Sequence, residues 1–193
     1  MRIEPTKLST CLAMAHPKNP KAHAIDALRA SLRRFGMTSP PTIDEQTRLM
    51  VAGHGRCAAL EQMRAAGEPP PVGIEVSGAE WMIPVVRGLS FASDRERDAY
   101  IIADNQLTMA GSWNFADLST LLVELDKAGD VALDGLGFSK QELDALLGST
   151  PSPTDWASVL GVDGDGGEPS TQQKTFILSA TQADPLVKRR SAR

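Results

Sequence analysis

The chain has 193 residues, a net charge of −4 and a hydrophobic fraction of 41% with only 5% aromatic residues, which suits one domain of ordinary size with an aliphatic core, plus a tail. No stretch approaches the roughly 20 apolar residues of a membrane span, the first twenty residues lack the apolar run of a secretory signal, and Cys11 and Cys57 fit neither a zinc spacing nor a disulfide scaffold, so a cytoplasmic protein with no membrane partner is expected. Residues 1–64 hold ten Lys and Arg against five Asp and Glu, and the remainder ten against nineteen; the basic front half suits a phosphate-bearing partner or a solvated helix face, and the overall acidity argues against coating DNA through charge alone.

In chain order, "HPKNPKAH" (16–23) is a loop with two prolines. Ile25, Leu28, Leu32 and Phe35 fall at helical spacing and predict a helix over 24–36 that stops at Gly36. "PPTID" (40–44) and "RLMVAG" (48–53) read as short strands joined by a turn. A helix follows from about Arg56 to Ala66, with Ala59, Leu60 and Met63 toward a core. Residues 71–76 and 81–86 are further strand candidates, with Pro84 suited to an edge strand or a bend. Ser93 and Glu96 form a capping box that opens a helix of about three turns ending near Asn105. Asn114 caps a helix over 115–129, and a second capping box, Ser139 with Glu142, opens a short one. Trp81 and Trp113 are expected as core anchors, and His16 and His23 as loop residues. Residues 149–173 are rich in Pro, Gly, Ser, Thr and Asp and read as a linker; its "DGDGGE" lacks the spacing of a calcium loop. "KTFILSATQAD" (174–184) predicts a strand and a helix start in a short, truncated tail.

The strongest local signal is the strand–turn–helix "RLMVAGHGRCAALEQM". Gly53 and Gly55 allow a sharp turn and a close approach of ligand to main chain. The helix that follows presents unpaired N–H groups and the positive end of its dipole, and Arg56 stands where its fork can grip phosphate oxygens. The alternative is a tight polar turn without a ligand. His54 can donate to phosphate, act as a general base or simply fill the turn. Cys57 reads as a small buried helix residue.

Together, "AHPKNPKAHAIDALRASLRRFGMTSPPTID", "VAGHGRCAAL" and "IIADNQL" occur in the order and at the spacing of the ParB/sulfiredoxin superfamily. Over roughly residues 3–147 the chain resembles the ParB-like N-terminal (ParB-like nuclease) domains of phage and bacterial type. The resemblance implies an α+β fold with a small mixed sheet packed by helices (1–110), a helical extension of the same domain (111–148) and a flexible tail. It implies a nucleoside triphosphate, ATP or CTP, held by Gly53, His54, Gly55 and Arg56, with Lys21 and Arg34 as further phosphate ligands. It implies that Asp104 and Asn105 hold Mg²⁺ or Mn²⁺ or the triphosphate, and that His54, Asp104 and Asn105 are the catalytic candidates. The departures are equally specific. The sulfiredoxin cysteine falls on His54, Gly55 replaces one of the arginines of the partition-type box, and no helix-turn-helix follows residue 107.

Three functions follow as expectations: a nucleotide-binding protein acting on or near DNA, as a metal-dependent nuclease or NTPase; a non-catalytic DNA-associated adaptor or transcription regulator; and a nucleotide-dependent small-molecule kinase, for which Asp44 and Glu45 are the nearest bases. The expected partners are nucleotide, DNA or a DNA-modifying protein, and a second copy of the chain in a homodimer.

Overall fold

The computed structural model describes residues 1–129 and 133–148. An N-terminal strand, β1 (Arg2–Lys7), runs straight into a short helix, α1 (Leu8–Ala13). After a loop come α2 (Ile25–Phe35), β2 (Thr42–Asp44), β3 (Met50–Ala52), α3 (His54–Ala65), β4 (Glu75–Ser77) and the long strand β5 (Glu80–Leu89). Three helices follow: α4 (Asp94–Ala110), α5 (Phe115–Ala128) and α6 (Lys140–Gly148). The protein is α+β, a small mixed sheet packed by helices and followed by a helical extension.

Strand β5 organises the sheet, whose order is β1-β5-β2-β3 with β4 also on β5. Strand β1 lies antiparallel to β5 over its whole length, from Arg2 opposite Arg87 to Lys7 opposite Met82. On the other flank β4 pairs antiparallel with the start of β5, and β2 pairs parallel with its end. Pro84, expected at an edge or a bend, sits in the middle of this strand. It is tolerated there because β4 stops opposite Met82 and β2 starts opposite Val86, so no partner on that flank needs the N–H that proline lacks. Strand β1 has no strong alternation and contains Pro5; its pairing with β5, not its local pattern, makes it a strand.

The main core collects Leu8 and Cys11 from α1, Leu32 from α2, Ile43 and Met50 from the β2–β3 hairpin, Leu60 and Met63 from α3, and Trp81, Ile83 and Val85 from β5. Burial of each large aliphatic side chain contributes roughly 1.5–3 kcal/mol. The expected apolar face of α2 is narrower than its spacing implies: Leu32 is buried, but Phe35 is 45% exposed and lies under the Arg34 guanidinium, 4.7 Å from the ring centre. The basic face of α2 is partly engaged. Glu68, just past α3, accepts from Arg29 at 2.7 Å and from Arg33 at 2.7 and 2.8 Å, which clamps α2 to α3 and offsets one of the positive charges counted in the front half.

Two further expectations are corrected by length and exposure. Helix α4 opens as expected, with Ser93 Oγ accepting the Glu96 N–H, but it runs to Ala110, so Asp104 and Asn105 lie inside the helix rather than at its end. Trp113 is 60% exposed and touches the Phe138 ring, whereas Trp81 is the core anchor expected. Helices α5 and α6 make a second apolar cluster from Leu118, Leu122 and Leu146, with Leu136 and Phe138 of the connecting loop packed on it. Among the described residues no helix is long and apolar enough to cross a membrane. The expected linker, the "DGDGGE" segment and the strand in "KTFILSATQAD" lie outside the described residues.

Candidate functional site

The turn between β3 and α3 is built by two glycines with different tasks. Gly53 is the N-cap of α3 with φ of 94°, a left-handed conformation that favours glycine, and a Cβ there would come within 2.7 Å of Pro41. Gly55 has ordinary helical backbone and needs space instead. A Cβ on it would meet His23 Nδ1 at 2.7 Å and Leu28 Cδ1 at 2.9 Å. Gly55 therefore lets the start of α2 lie directly on the first turn of α3. The helix begins at His54, two residues earlier than its apolar pattern indicates, and no side chain caps it, which leaves its first N–H groups without side-chain acceptors.

Against this turn lies a cleft of about 790 Å³. Its floor is the turn itself, Ala52 to Arg56; one wall is Lys21 to Ala24 with Ala27, Leu28 and Ser31; Ser39, Pro40 and Thr42 also line it. A third wall is the stripe Tyr100, Asp104, Asn105 and Thr108 of α4, and the last is the loop Gly135–Leu136–Gly137 between α5 and α6. Seven of the eight residues singled out in the sequence thus share one cleft: Lys21, Gly53, His54, Gly55, Arg56, Asp104 and Asn105. Arg34 does not join them. Its guanidinium donates to the main-chain carbonyl of Asp134.

Arg56 is the most informative member. Its Nε is buried without a hydrogen-bond partner, and among the described residues it forms no ion pair. A buried guanidinium nitrogen left unpaired is costly unless a ligand supplies the acceptor. Lys21 stands beside it, and together their charges, after the larger effect of burial, push the His23 imidazole below its ordinary pKa.

His54 is held differently from what the sequence suggests. The His16 N–H donates to His54 Nε2 at 3.1 Å, and the ring also bonds the Met50 main chain. Burial, and then the nearby His23 and His16, push its pKa down despite the Met50 bond. A neutral ring with Nε2 accepting must carry its proton on Nδ1. Nε2 is thus engaged by the His16 N–H, which ties the side chain to the loop beside the turn. His16 and His23, expected as ordinary loop residues, are built into the site. His16 is buried; Lys18 N–H donates to its Nδ1, and its Nε2 reaches Asp98 of α4 at 3.3 Å. Asn19 Nδ2 donates to His23 Nε2 at 3.3 Å. The signal for both was the run "HPKNPKAH", dense in groups that hydrogen-bond main chain.

On α4, Asn105 Nδ2 donates to the Ile101 carbonyl at 2.8 Å, which leaves its oxygen for the cleft. Asp104 is close enough to Tyr100 to add to the upward shift that burial gives that phenol. Among the described residues no three His, Cys, Asp or Glu side chains gather as a metal cage. One carboxylate and one amide oxygen fit Mg²⁺ only as a cation carried mainly by phosphate oxygens and water. The other acids nearby are spoken for. Asp44 is buried and accepts from the main chain of Gln46 and Thr47 and from Thr47 Oγ1, and Glu45 is paired with Arg87 at 2.7 Å. Neither of these nearest candidate bases lines the cleft. Burial pushes Cys57 up to about 12 and Cys11 to about 11, so neither thiol is poised for redox work.

No protein-family model matches the chain, and no curated protein matches it significantly. Among solved structures, it is similar to the C-terminally truncated chromosome-partitioning protein ParB from Caulobacter crescentus complexed with CTP-gamma-S, at 17% identity and a TM-score of 0.52, over 83% of this chain and 86% of that one. At that identity the likeness is one of fold.

Proposed function

We propose that the protein binds a nucleoside triphosphate in this cleft, phosphates on the Gly53–Arg56 turn, and works as a nucleotide-responsive, DNA-associated protein. The observation that carries the reading is the buried, partnerless Arg56 Nε beside the uncapped start of α3 and Lys21. Fixed cations and free N–H groups converging on one cleft suit a polyanion small enough to enter it. A duplex fits less well, because the arginines of α2 that could have tracked a DNA backbone are held by Glu68. The similar ParB fold was solved with a CTP analogue, which supports the choice of nucleotide. Asp104 and Asn105 would hold a divalent cation that accompanies the phosphates, and His54 would position the turn. Exposed Ile102, Leu107 and Met109 on α4 suit the expected homodimer.

Titration calorimetry with CTP, ATP, GTP and UTP in Mg²⁺, wild type beside Arg56→Ala, tests this. The expected result is binding that falls at least about tenfold in the variant, the equivalent of one charge-assisted contact. Absence of binding, or equal binding by both proteins, refutes the cradle.

The engagement of His54, Asp44 and Glu45 favours binding over bond cleavage, and so favours the adaptor reading over the nuclease, NTPase or kinase. Asp104 is the remaining carboxylate on the cleft wall. Incubation of supercoiled plasmid, and separately of labelled nucleotide, with Mg²⁺ or Mn²⁺ decides the point: turnover that disappears in Asp104→Ala restores an enzymatic reading.

A further inference from the structure

Helix α2 lines the cleft and meets two other parts of it. At its start, His23 lies on Gly55 of the phosphate turn. Further along the helix, Gly135 lies so close that a Cβ on it would stand 3.1 Å from the Ala30 carbonyl oxygen and 3.5 Å from Arg34 Cδ. The helix has 11 residues, about 16 Å at 1.5 Å per residue. The phosphate turn, on His23 and Leu28, and the Gly135–Leu136–Gly137 loop, on Ala30 and Arg34, therefore meet α2 at successive points along one site. The chemistry of the two points differs. The first has Lys21, Arg56 and helix N–H groups. The second has the hydroxyl of Ser31, the main chain of two glycines, and Leu136, with Ala27 and Leu28 of α2 between it and the turn. No charged side chain is among these. Neutral hydrogen-bonding groups around a small apolar surface suit a flat heterocycle rather than a phosphate.

The loop belongs to the α5–α6 unit, whose apolar cluster is separate from the main core. What holds it at the cleft is Arg34, which donates to the Asp134 carbonyl one residue before Gly135, and the close seating of Gly135 on α2.

We propose that the Gly135–Gly137 loop is the base-binding wall of the nucleotide site and that Arg34 is its latch, a positioning residue that never meets the phosphates. This rests on the cleft being a nucleotide site, and it makes the helical extension a determinant of which nucleotide is accepted. The test compares two probes, inorganic tripolyphosphate and the nucleoside triphosphate that wild type binds best, by calorimetry. The proteins are wild type, Arg34→Ala, Arg34→Gln, Gly135→Val and Arg56→Ala, each checked for an intact far-ultraviolet spectrum and cooperative melting.

The expected result is a loss of about tenfold in nucleotide affinity for Arg34→Ala and Gly135→Val, with tripolyphosphate binding unchanged. Arg34→Gln, which keeps a donor for the carbonyl but no charge, should recover part of the loss. Arg56→Ala should weaken both probes. Equal loss of both probes in Arg34→Ala makes Arg34 a phosphate ligand and overturns the latch. Unchanged nucleotide affinity in both Arg34→Ala and Gly135→Val removes the loop from the site. Wild type that binds tripolyphosphate as tightly as nucleotide overturns the base wall and leaves the phosphate turn standing. Wild type that binds neither probe removes the nucleotide reading and the inference together.

Discussion

The main-chain N–H of His16 donates to Nε2 of His54 across 3.1 Å, and His16 in turn reaches Asp98 of α4 through its own Nε2. His16, through its main chain and its ring, thus joins the β3–α3 turn to the helix that carries Asp104 and Asn105. Replacing His54 by Ala leaves the His16 N–H without its acceptor, and that loss is expected to cost about 1–3 kcal/mol of stability. His54→Gln, which can offer an oxygen to the same N–H, should cost less. Urea denaturation of the three proteins is the check, and equal stability of wild type and His54→Ala would show that the bond contributes nothing.

The burial of the His54 imidazole sets a pH dependence. His54 and His23 both have folded pKa values below the ordinary 6.5, so the unfolded chain takes up these protons first as pH falls. Their contribution to stability is complete above pH 6.5 and is lost as pH drops below it. Wild type should unfold at lower urea at pH 5.5 than at pH 8, and the difference should shrink in His54→Gln while a residue remains from His23. A difference just as large in the variant would exclude His54 as its source.

Gly55 offers a prediction opposite to helix propensity. Alanine is better than glycine inside a helix by about 1 kcal/mol, yet here a Cβ meets His23 and Leu28 below 3 Å. Gly55→Ala should therefore destabilise the protein, by about 1–3 kcal/mol as other overpacked cores do, and weaken ligand binding by moving His23. Adding His23→Ala should restore part of the stability, a coupling that a double-mutant cycle measures directly.

The parts of this architecture written in local sequence are those with a local cause. The Ser93 cap, the capping box at Ser139, the Asn114 cap and the glycine stop after α2 all stand where the pattern puts them, because the bonds that make them span three or four residues. The strand–turn–helix at Gly53 was legible for the same reason. What was not legible depends on partners far away in the chain. Strand β1 exists through β5, some eighty residues on. Arg34 meets a carbonyl one hundred residues away, a partner that nothing in its own neighbourhood of the sequence indicates. His54 reads equally as a phosphate donor, a general base or a turn filler, because nothing local shows that the main-chain N–H of residue 16 bonds its ring. Asp104 and Asn105 were placed at a helix end because polar residues there resemble a stop, whereas the cleft is what they face.

Glu68 makes a second, acid-side prediction. Hydrogen bonds first from Arg33 and then from Arg29 hold its carboxyl down to about 2, well below the ordinary value for Glu. Because the folded value is depressed, the stabilisation is present above about pH 4.5 and is lost as pH falls toward 2. Glu68→Gln should lower the unfolding midpoint at pH 7, by a modest amount since the pair is partly exposed, and should make stability less sensitive to acid between pH 4.5 and 2. It should also release the arginines of α2. If DNA binding appears in Glu68→Gln where wild type has none, the clamp is what keeps α2 from a phosphate backbone.

The two cysteines provide the closing check on the site's chemistry. Cys11 and Cys57 are fully buried in the main core, and burial raises both thiols, to about 11 and about 12. Since the thiolate is the reactive form, only a minute fraction is reactive at neutral pH, and access is closed as well. Folded protein at pH 8 should react with a thiol-specific disulfide reagent no faster than it opens globally, and both thiols should react at once in denaturant. Cys57→Ser places a hydroxyl among apolar neighbours and should lower stability while leaving nucleotide affinity as it was. Rapid labelling of Cys57 in the folded protein, or loss of binding in Cys57→Ala with stability intact, would return to this cysteine the functional role that its position beside Arg56 invites and its burial denies.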